Sequence, residues 1–339
     1  MKRNGSITII ALLIISLALV SSILLIYIST LQVSIAATSL DSVQAKYISE
    51  YILNTLIYNK EKFQQYFFYN TLDGCRASGE RFPSKGEWNI RFKEDKDLNE
   101  YSQDISYFMN QVDERKNIIL KIKTKYKNIP SNIIAYIDVI HEIFQLNKPY
   151  IFINDLSQDY KNKLISLLEE IHDNCFDYDC KITASVRRIN NIDGNISINV
   201  NSKNSDREII IDNEGQVSSF SNKYIILTNL LNESTEKPSL IIGNIEDDSL
   251  LKLNGVMYVE GDVIVNQNLE FDGIIIVNDG KIIINTDIPP IIKGVILHND
   301  DIRINEEDLV LIHDQDNIWN FGSYIPGFIT PRLNLIKRY

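Results

Sequence analysis

Positive charge, histidine and cysteine are all scarce in this chain of 339 residues. Lysine and arginine number 34 against 45 aspartates and glutamates, which gives a formal charge of −11. A global nucleic-acid binder needs a basic face, so the composition argues against a nucleic-acid partner. Four histidines and three cysteines leave little material for zinc clusters or a disulfide-rich scaffold. The chain still has 44% hydrophobic residues, which is typical of a folded protein.

The common catalytic signatures are also missing. The sequence contains no GxxxxGK[ST], GxGxxG, HExxH or GxSxG motif, and His141-Glu142 lacks the second histidine of a zinc site. Carboxylates cluster late in the chain, for example at Asp300-Asp301, but they fall between short apolar runs, where solvated charge is usual. No EF-hand calcium loop is present. We therefore expect no catalytic residue, no cofactor and no metal site.

Charge is absent between Arg3 and Asp41, and neither proline nor glycine occurs from residue 6 to residue 73. Residues 7–31 are almost wholly apolar, and a helix of about 25 residues is roughly 37 Å long, enough to cross a ~30 Å hydrocarbon core. The run is too long for the apolar core of a secretory signal. We predict one continuous helix, transmembrane over residues 6–32 and extended outside the membrane over residues 33–73. A buried core helix of a soluble protein is the alternative.

The charges that flank the apolar run predict its orientation. Lys2 and Arg3 precede it, and Asp41 is the first charge that follows. The positive-inside rule then places the N-terminus in the cytoplasm and the remaining head outside the cell, as in a single-pass membrane protein.

Residues 74–204 alternate between helical and strand patterns and are expected to form a mixed α/β domain. The prediction combines strands, two amphipathic helices and one hairpin around Asp193-Gly194. We expect strands over residues 88–92, 117–126 and 150–153, helices over 131–147 and 157–172, and a hairpin of 181–189 with 195–201.

Residues 205–318 are nearly all β-patterned and contain a repeat. Each unit has a glycine, four apolar residues, a polar turn and a second short strand ending in asparagine, with Gly255, Gly273 and Gly294 at equivalent positions. A period of 18–21 residues is typical of solenoids, so we predict short parallel β-solenoid coils; a meander of hairpins is the alternative. Residues 319–339 are expected to form a C-terminal cap. The fold class is thus α+β, with a long N-terminal helix.

Three cysteines are present, Cys75, Cys175 and Cys180. If the head is exported, Cys175 and Cys180 can close a small disulfide loop. Free thiols are the alternative, and CxxxxC alone does not supply a metal site.

A short basic leader ends in Gly5 directly before Ser6 and the apolar helix. This pattern resembles the PilX-type family of type IV pilus minor pilins over about the first 55 residues. That family has an Ala-x-Tyr-x-Ala-Glu-Ala-Gly-like stretch just beyond the membrane, and Ala45, Tyr47 and Glu50 match it. The resemblance implies cleavage by a prepilin peptidase between Gly5 and Ser6, which removes two positive charges and changes the formal charge from −11 to −13.

Major pilins of that family carry a glutamate at the fifth mature position, where this chain has Ile10. Its absence resembles minor pilins of the filament tip. The resemblance implies a structural role in a type IV pilus or pseudopilus. Its partners would be membrane lipid, the peptidase and other pilins through the N-terminal helix. A membrane-anchored polymer-forming or glycan-binding β-solenoid surface protein is the alternative.

Overall fold

A long N-terminal helix extends from a head that combines three sheets with shorter helices. The computed structural model describes residues 4–76, 87–91, 102–112, 115–178, 180, 182, 186–201, 208–213, 216–220, 224–232, 234 and 236–338. The chain is a mixed α+β protein with a long apolar N-terminal helix and a β-rich C-terminal region, so the predicted class is confirmed at this level.

The N-terminal helix is interrupted once. Helix α1 (Asn4–Tyr58) ends before Asn59, whose backbone is extended (φ −80°, ψ 111°) and whose side chain accepts a hydrogen bond from the Lys62 N–H. The prediction of an unbroken helix to residue 73 is therefore wrong at Asn59, because asparagine is among the best N-cap residues and starts a new helix. The elements that follow are α2 (Lys60–Phe63), a π-helical turn (Gln64–Phe68) and α3 (Tyr69–Arg76).

Five strands form an antiparallel sheet. The predicted strands near residues 88 and 117 are confirmed, while the C-terminal segment, expected to act as a cap, supplies the edge strand and pairs with Ile129–Ile140. The chain thus returns at its end to the sheet on which the long helix packs. In spatial order the strands are β1 (Trp88–Ile90), β2 (Ser102–Val112), β3 (Arg115–Tyr126), β4 (Ile129–Ile140) and β18 (Ile329–Arg338).

Strand β4 corrects the predicted helix over residues 131–147. Alternate residues Ile133, Ala135 and Ile137 are buried on one face of the sheet, which is a period of two. The isoleucines of this segment, Ile134 and Ile140 among them, also fit a helical stripe, so their spacing alone does not distinguish a strand from a helix. Lys127, at φ 51°, lies in the turn that connects β3 to β4. The antiparallel pairing of these two strands in a hairpin favours a strand over a helix for residues 129–140.

The second half of α1 packs on β3, β4 and β18. Burial begins at Ala45, which is 1% exposed, and Ser49 four residues later is fully buried. These small residues let the helix backbone approach the sheet. Leu53 and Leu56, also fully buried, continue the stripe into the core of the head.

Two parallel ladders make up the C-terminal region, and the chain alternates between them. Successive repeat units pair in parallel rather than as hairpins, with Gly255 opposite Gly273 and Gly273 opposite Gly294. The first ladder contains β6 (Val186–Ile192), β10 (Tyr224–Leu230), β12 (Leu251–Val259), β14 (Leu269–Asn278) and β16 (Ile291–Asn299). The second contains β7 (Ile196–Asn201), β11 (Ser239–Ile242), β13 (Asp262–Val265) and β15 (Ile282–Ile284), with β8 (Glu208–Asn213) and β9 (Gln216–Phe220) added to it antiparallel.

The predicted hairpin over residues 181–189 and 195–201 is wrong. Its two strands, β6 and β7, belong to different ladders, where β6 pairs with β10 and β7 with β11. Asp193, at φ 55°, lies in the turn between them. The predicted turn is therefore present, but the two strands that flank it do not pair with each other.

The apolar runs of the repeats are continuous because both faces of the first ladder are buried. Met257 and Val259 point between the two ladders, whereas Val256 and Tyr258 join the core shared with the antiparallel sheet. Helix α4 (Gln158–Asn174) packs on this outer face through Leu164, Leu167 and Ile171, which confirms the predicted helix at 157–172. Helix α5 (Gln315–Gly322) lies against β14 and β16.

The last long strand of the first ladder, β16, is covered along its edge by two short strands. These are β5 (Tyr150–Phe152), a confirmed prediction, and β17 (Val310–Ile312). Covering an edge strand removes unpaired backbone groups that would otherwise recruit another chain. Single 3₁₀ turns occupy Glu142–Gln145, Ile153–Asp155 and Glu306–Asp308.

Candidate functional site

The first part of α1 has no cover within the described part of the protein. Every residue from 7 to 40 is exposed, and the most apolar window of the helix has a mean hydropathy of 3.1. At 1.5 Å per residue, this exposed segment is about 50 Å long. We call it the apolar rod. One helix is therefore long and apolar enough to span a membrane, as predicted.

Several hydroxyl groups on the rod donate hydrogen bonds to its own backbone. Ser22 donates to the Ala18 carbonyl and Thr30 to the Ile26 carbonyl, each at 2.8 Å, and Ser16 donates to the Leu13 carbonyl at 2.9 Å. An unsatisfied hydroxyl is costly in hydrocarbon, so these bonds suit the rod to an apolar environment.

Charge appears where the rod meets the head. Asp41 accepts a hydrogen bond from Lys127 Nζ at 2.7 Å, which ties the helix to the turn between β3 and β4. Two helical turns further, Ser49 Oγ lies 2.9 Å from Ser131 Oγ on β4. Because α1 continues without a break through this junction, the rod is fixed to the head by a rigid helix and not by a flexible linker.

The three residues that matched the family stretch have different surroundings. Ala45 is buried against the sheet, Tyr47 is 63% exposed, and Glu50 pairs with Arg338 of the C-terminal strand. Ala45 and Glu50 thus hold the helix on the head, whereas Tyr47 faces outward.

The residues predicted for processing lie at the start of α1. Gly5 and Ser6 are helical, and the orienting charges Lys2 and Arg3 lie outside the described residues. Ile10 is an exposed side chain of the rod, 55% accessible. The rod offers a partner apolar contacts along its length and no carboxylate.

All three cysteines are buried free thiols, so the structure has the second of the two alternatives and no Cys175–Cys180 disulfide. Burial raises the pKa of Cys75 and of Cys175 to about 11 in each case. Cys180 Sγ instead accepts a hydrogen bond from Arg188 Nη2 at 3.0 Å. Cys75 and Cys175 therefore stay protonated near neutral pH and are poor nucleophiles.

The head also carries a polar groove of about 300 Å³ that the sequence did not reveal. It lies between α4 and the carboxyl ends of β12, β14 and β16, where Glu260, Asn278 and Asn299 follow one another. We call it the strand-end groove. Its signal in the sequence is the polar residue that ends the apolar run of each repeat.

Glu260 organises one end of the strand-end groove. Its side chain is 8% exposed, and Oε1 accepts hydrogen bonds from the Tyr258 hydroxyl at 2.6 Å and from His172 Nδ1 at 2.8 Å. Oε2 accepts from the Leu231 N–H at 2.9 Å. A histidine that bonds to a carboxylate through Nδ1 can bind a metal ion through Nε2. Within the described residues, however, no group of three His, Cys, Asp or Glu side chains is placed to hold a metal ion.

Two carboxylates on the first ladder, Glu270 and Asp272, have pKa values shifted in opposite directions. Glu270 lies between Lys252 and Lys293 on neighbouring strands, and hydrogen bonds from both ammonium groups lower its pKa to about 2. Burial raises the pKa of Asp272 on the same ladder. The Lys252–Glu270–Lys293 row is a cross-strand charge ladder that stabilises register.

No protein-family model, no curated protein sequence and no solved structure matches this chain, so the comparisons assign it to no family.

Proposed function

We propose that this protein is a minor pilin-like structural subunit of a type IV pilus or related pseudopilus. Its rod is stored in the membrane, the N-terminus faces the cytoplasm and the head lies outside the cell. The observation that carries the proposal is the apolar rod, which is exposed along its whole length and continuous with a helix embedded in the head.

The rod requires an apolar partner on energetic grounds. Twenty large apolar side chains between Ile7 and Leu40 are at least 40% exposed. At about 1.5 kcal/mol or more for each, leaving them in water costs roughly 30 kcal/mol, which exceeds the 5–15 kcal/mol stability of an ordinary domain. Lipid covers this surface in the membrane, and the rods of sister subunits cover it in a filament.

Transfer between those two environments changes little hydrophobic free energy, because lipid tails and leucine side chains are equally apolar. Packing and specific contacts then decide whether the subunit enters a filament. In major pilins the glutamate at the position of Ile10 is thought to pair with the N-terminal amine of a neighbouring subunit. Its absence here supports a position at the tip, where no subunit lies further out.

The two parallel ladders support a finer proposal for the head, namely that they are coils of a short β-solenoid. Each repeat contributes one strand to each ladder, and β5 and β17 cover the last coil. Such a stack is stiff because every coil is held by its neighbours, which suits it to display at the end of a rod.

The test is the mass of the native protein and of two variants. The proposal predicts a wild-type chain that begins at Ser6, a Gly5→Val chain that keeps its leader, and an Asn4→Ala control that is processed normally. If wild type and Gly5→Val both retain residues 1–5 and reach the same location, leader processing has no part in the protein's function.

The strand-end groove favours a second candidate function, a membrane-anchored surface protein that binds glycan. Amide and carboxylate groups such as Asn278, Asn299 and Asp173 line this groove and can bond to sugar hydroxyls. Filaments sheared from the cell surface distinguish the two functions: a pilin-like subunit sediments with them, whereas an anchored glycan-binding protein stays with the membrane.

A further inference from the structure

A pocket of about 460 Å³ lies where the N-terminal helix is interrupted. It is bounded by the α1–α2 break at Asn59, the C-terminal end of α4 and the segment from Pro326 to Pro331. This volume is within the usual range for small-ligand sites, about 300–1,000 Å³. We call it the helix-break pocket. It is separate from the rod and from the strand-end groove, and neither candidate function uses it.

Aromatic rings form two walls of the helix-break pocket. The rings of Phe68 and Tyr178 stand nearly perpendicular, at 85° with centroids 6.1 Å apart, and Phe63 and Tyr58 also line the space. Burial raises the pKa of Tyr178, so its ring stays a neutral phenol. Its hydroxyl has no hydrogen-bond partner among the described residues. The faces of neutral aromatic rings carry negative potential and attract cations.

Two carboxylates complete the lining. Glu170 and Asp177 are exposed residues that line the pocket, and neither forms an ion pair within the described part of the chain. Glu170 Oε2 lies 2.8 Å from the position that a Cβ on Gly327 would occupy, so the glycine, at φ 74°, lets this carboxylate reach the inner wall. Lys60 is the one cation among the lining residues and offsets one of the two negative charges.

From these features we propose that the helix-break pocket binds an alkylammonium group, with the aromatic walls facing the cation and Glu170 and Asp177 balancing its charge. Apolar walls hold the carbon stem of such a ligand, and the carboxylates accept hydrogen bonds when the nitrogen carries protons. A neutral ligand of the same shape would gain only the apolar contact.

The position of the pocket limits the source of the ligand. Along α1, Tyr58 lies about 40 Å beyond Leu31, the last residue of the apolar run. With residues 7–31 in a bilayer, headgroups of that bilayer are therefore out of reach. The alkylammonium group must come from the medium or from another macromolecule, either as a lysine side chain or as a quaternary amine.

Titration calorimetry on the full chain in dodecyl maltoside tests the proposal, because this detergent carries no ammonium group. The probes are choline, Nα-acetyl-lysine methylamide and 3,3-dimethylbutan-1-ol, which is the neutral isostere of choline. We expect at least one cation to bind saturably and at least tenfold more tightly than the neutral alcohol. Tighter binding of the lysine derivative identifies a protein side chain as the source, and tighter binding of choline identifies a quaternary amine.

Four variants locate the binding. Phe68→Leu removes one aromatic wall and should weaken binding about fivefold. Glu170→Gln and Asp177→Asn should each weaken it, while the neighbouring control Glu169→Gln, which lines the strand-end groove, should match wild type. Asp177 is exposed, so its variant remains informative if Phe68→Leu does not fold. No saturable binding of either cation, equal binding of the neutral alcohol, or equal effects of Glu169→Gln and Glu170→Gln would overturn the proposal.

Discussion

Three glycines, Gly255, Gly273 and Gly294, occupy paired positions on β12, β14 and β16. Each has a positive φ between 142° and 151°, and a Cβ on Gly273 would lie 1.9 Å from the carbonyl oxygen of Gly255. The repeat spacing is visible in the sequence, but the reason for glycine is not, since it depends on the backbone of the neighbouring strand. Only glycine fits this conformation without strain.

Gly273→Ala is therefore expected to lower the free energy of unfolding of the head by about 3 kcal/mol through backbone strain and overpacking. Urea unfolding of the detergent-solubilised full chain measures this change. Lys281→Ala, an exposed position in the same repeat, is the control and should change stability by less than about 0.5 kcal/mol. An unaltered midpoint for Gly273→Ala would contradict the close approach of β12 and β14 at these glycines.

His141 gives the head a pH-dependent stability. Burial, with the nearby charges of Lys163 and Arg332, lowers its pKa to about 4, and its Nδ1 accepts a hydrogen bond from the Ile143 N–H. In the unfolded chain the same group titrates near 6.5. Between these values the unfolded chain binds the proton and the folded head does not, so His141 lowers stability as the pH falls from about 6.5 to about 4, with no effect above that window.

The variant His141→Asn removes the titration and keeps a side-chain acceptor at the N-cap of the 3₁₀ turn. Relative to pH 7.5, wild type should lose about 2 kcal/mol more than this variant at pH 5. Unfolding free energies of both chains at the two pH values give the difference. Parallel pH profiles of the two chains would show that the half-buried ring of His141 does not resist protonation.

At the scale of elements, the second half of α1 depends on small residues at the helix–sheet contact. Ala45→Leu adds bulk at a position that is 1% exposed, so we expect a loss of about 2 kcal/mol in unfolding free energy. Tyr47→Leu, two residues on and 63% exposed, is the matched control and should stay within about 0.5 kcal/mol of wild type. The same urea measurement applies, and equal effects of the two variants would place the contact elsewhere.

The spacing of apolar residues predicts correctly those elements whose spacing fits either a helix or a strand, but not both. Helix α4 has a polar face opposite Leu164, Leu167 and Ile171, and strand β3 alternates Ile118, Leu120 and Ile122, so both were found. Strand β4 was misread because its isoleucines satisfy both periods. The partners of β6 and β7 were misread because adjacent strands usually form hairpins, whereas here the preference of the ladders for parallel neighbours prevails.

At the scale of the whole molecule, the apolar rod can be predicted from the sequence, because a charge-free apolar run is recognised without knowledge of the tertiary structure. The strand-end groove and the helix-break pocket cannot be predicted in this way. Glu260 and His172 are 88 positions apart, and Phe68 and Tyr178 meet only after α4 and the helix break are in place. Sites made by distant segments leave no local spacing to read.

The most direct test of the account is extraction of cell membranes with alkaline carbonate, which releases peripheral proteins and leaves integral ones. We predict that the wild-type chain remains in the membrane pellet, held by residues 7–31, until it is assembled into filaments. Recovery of the intact polypeptide, Met1 included, from the soluble cytosolic fraction would contradict the claim that the apolar rod is covered by lipid.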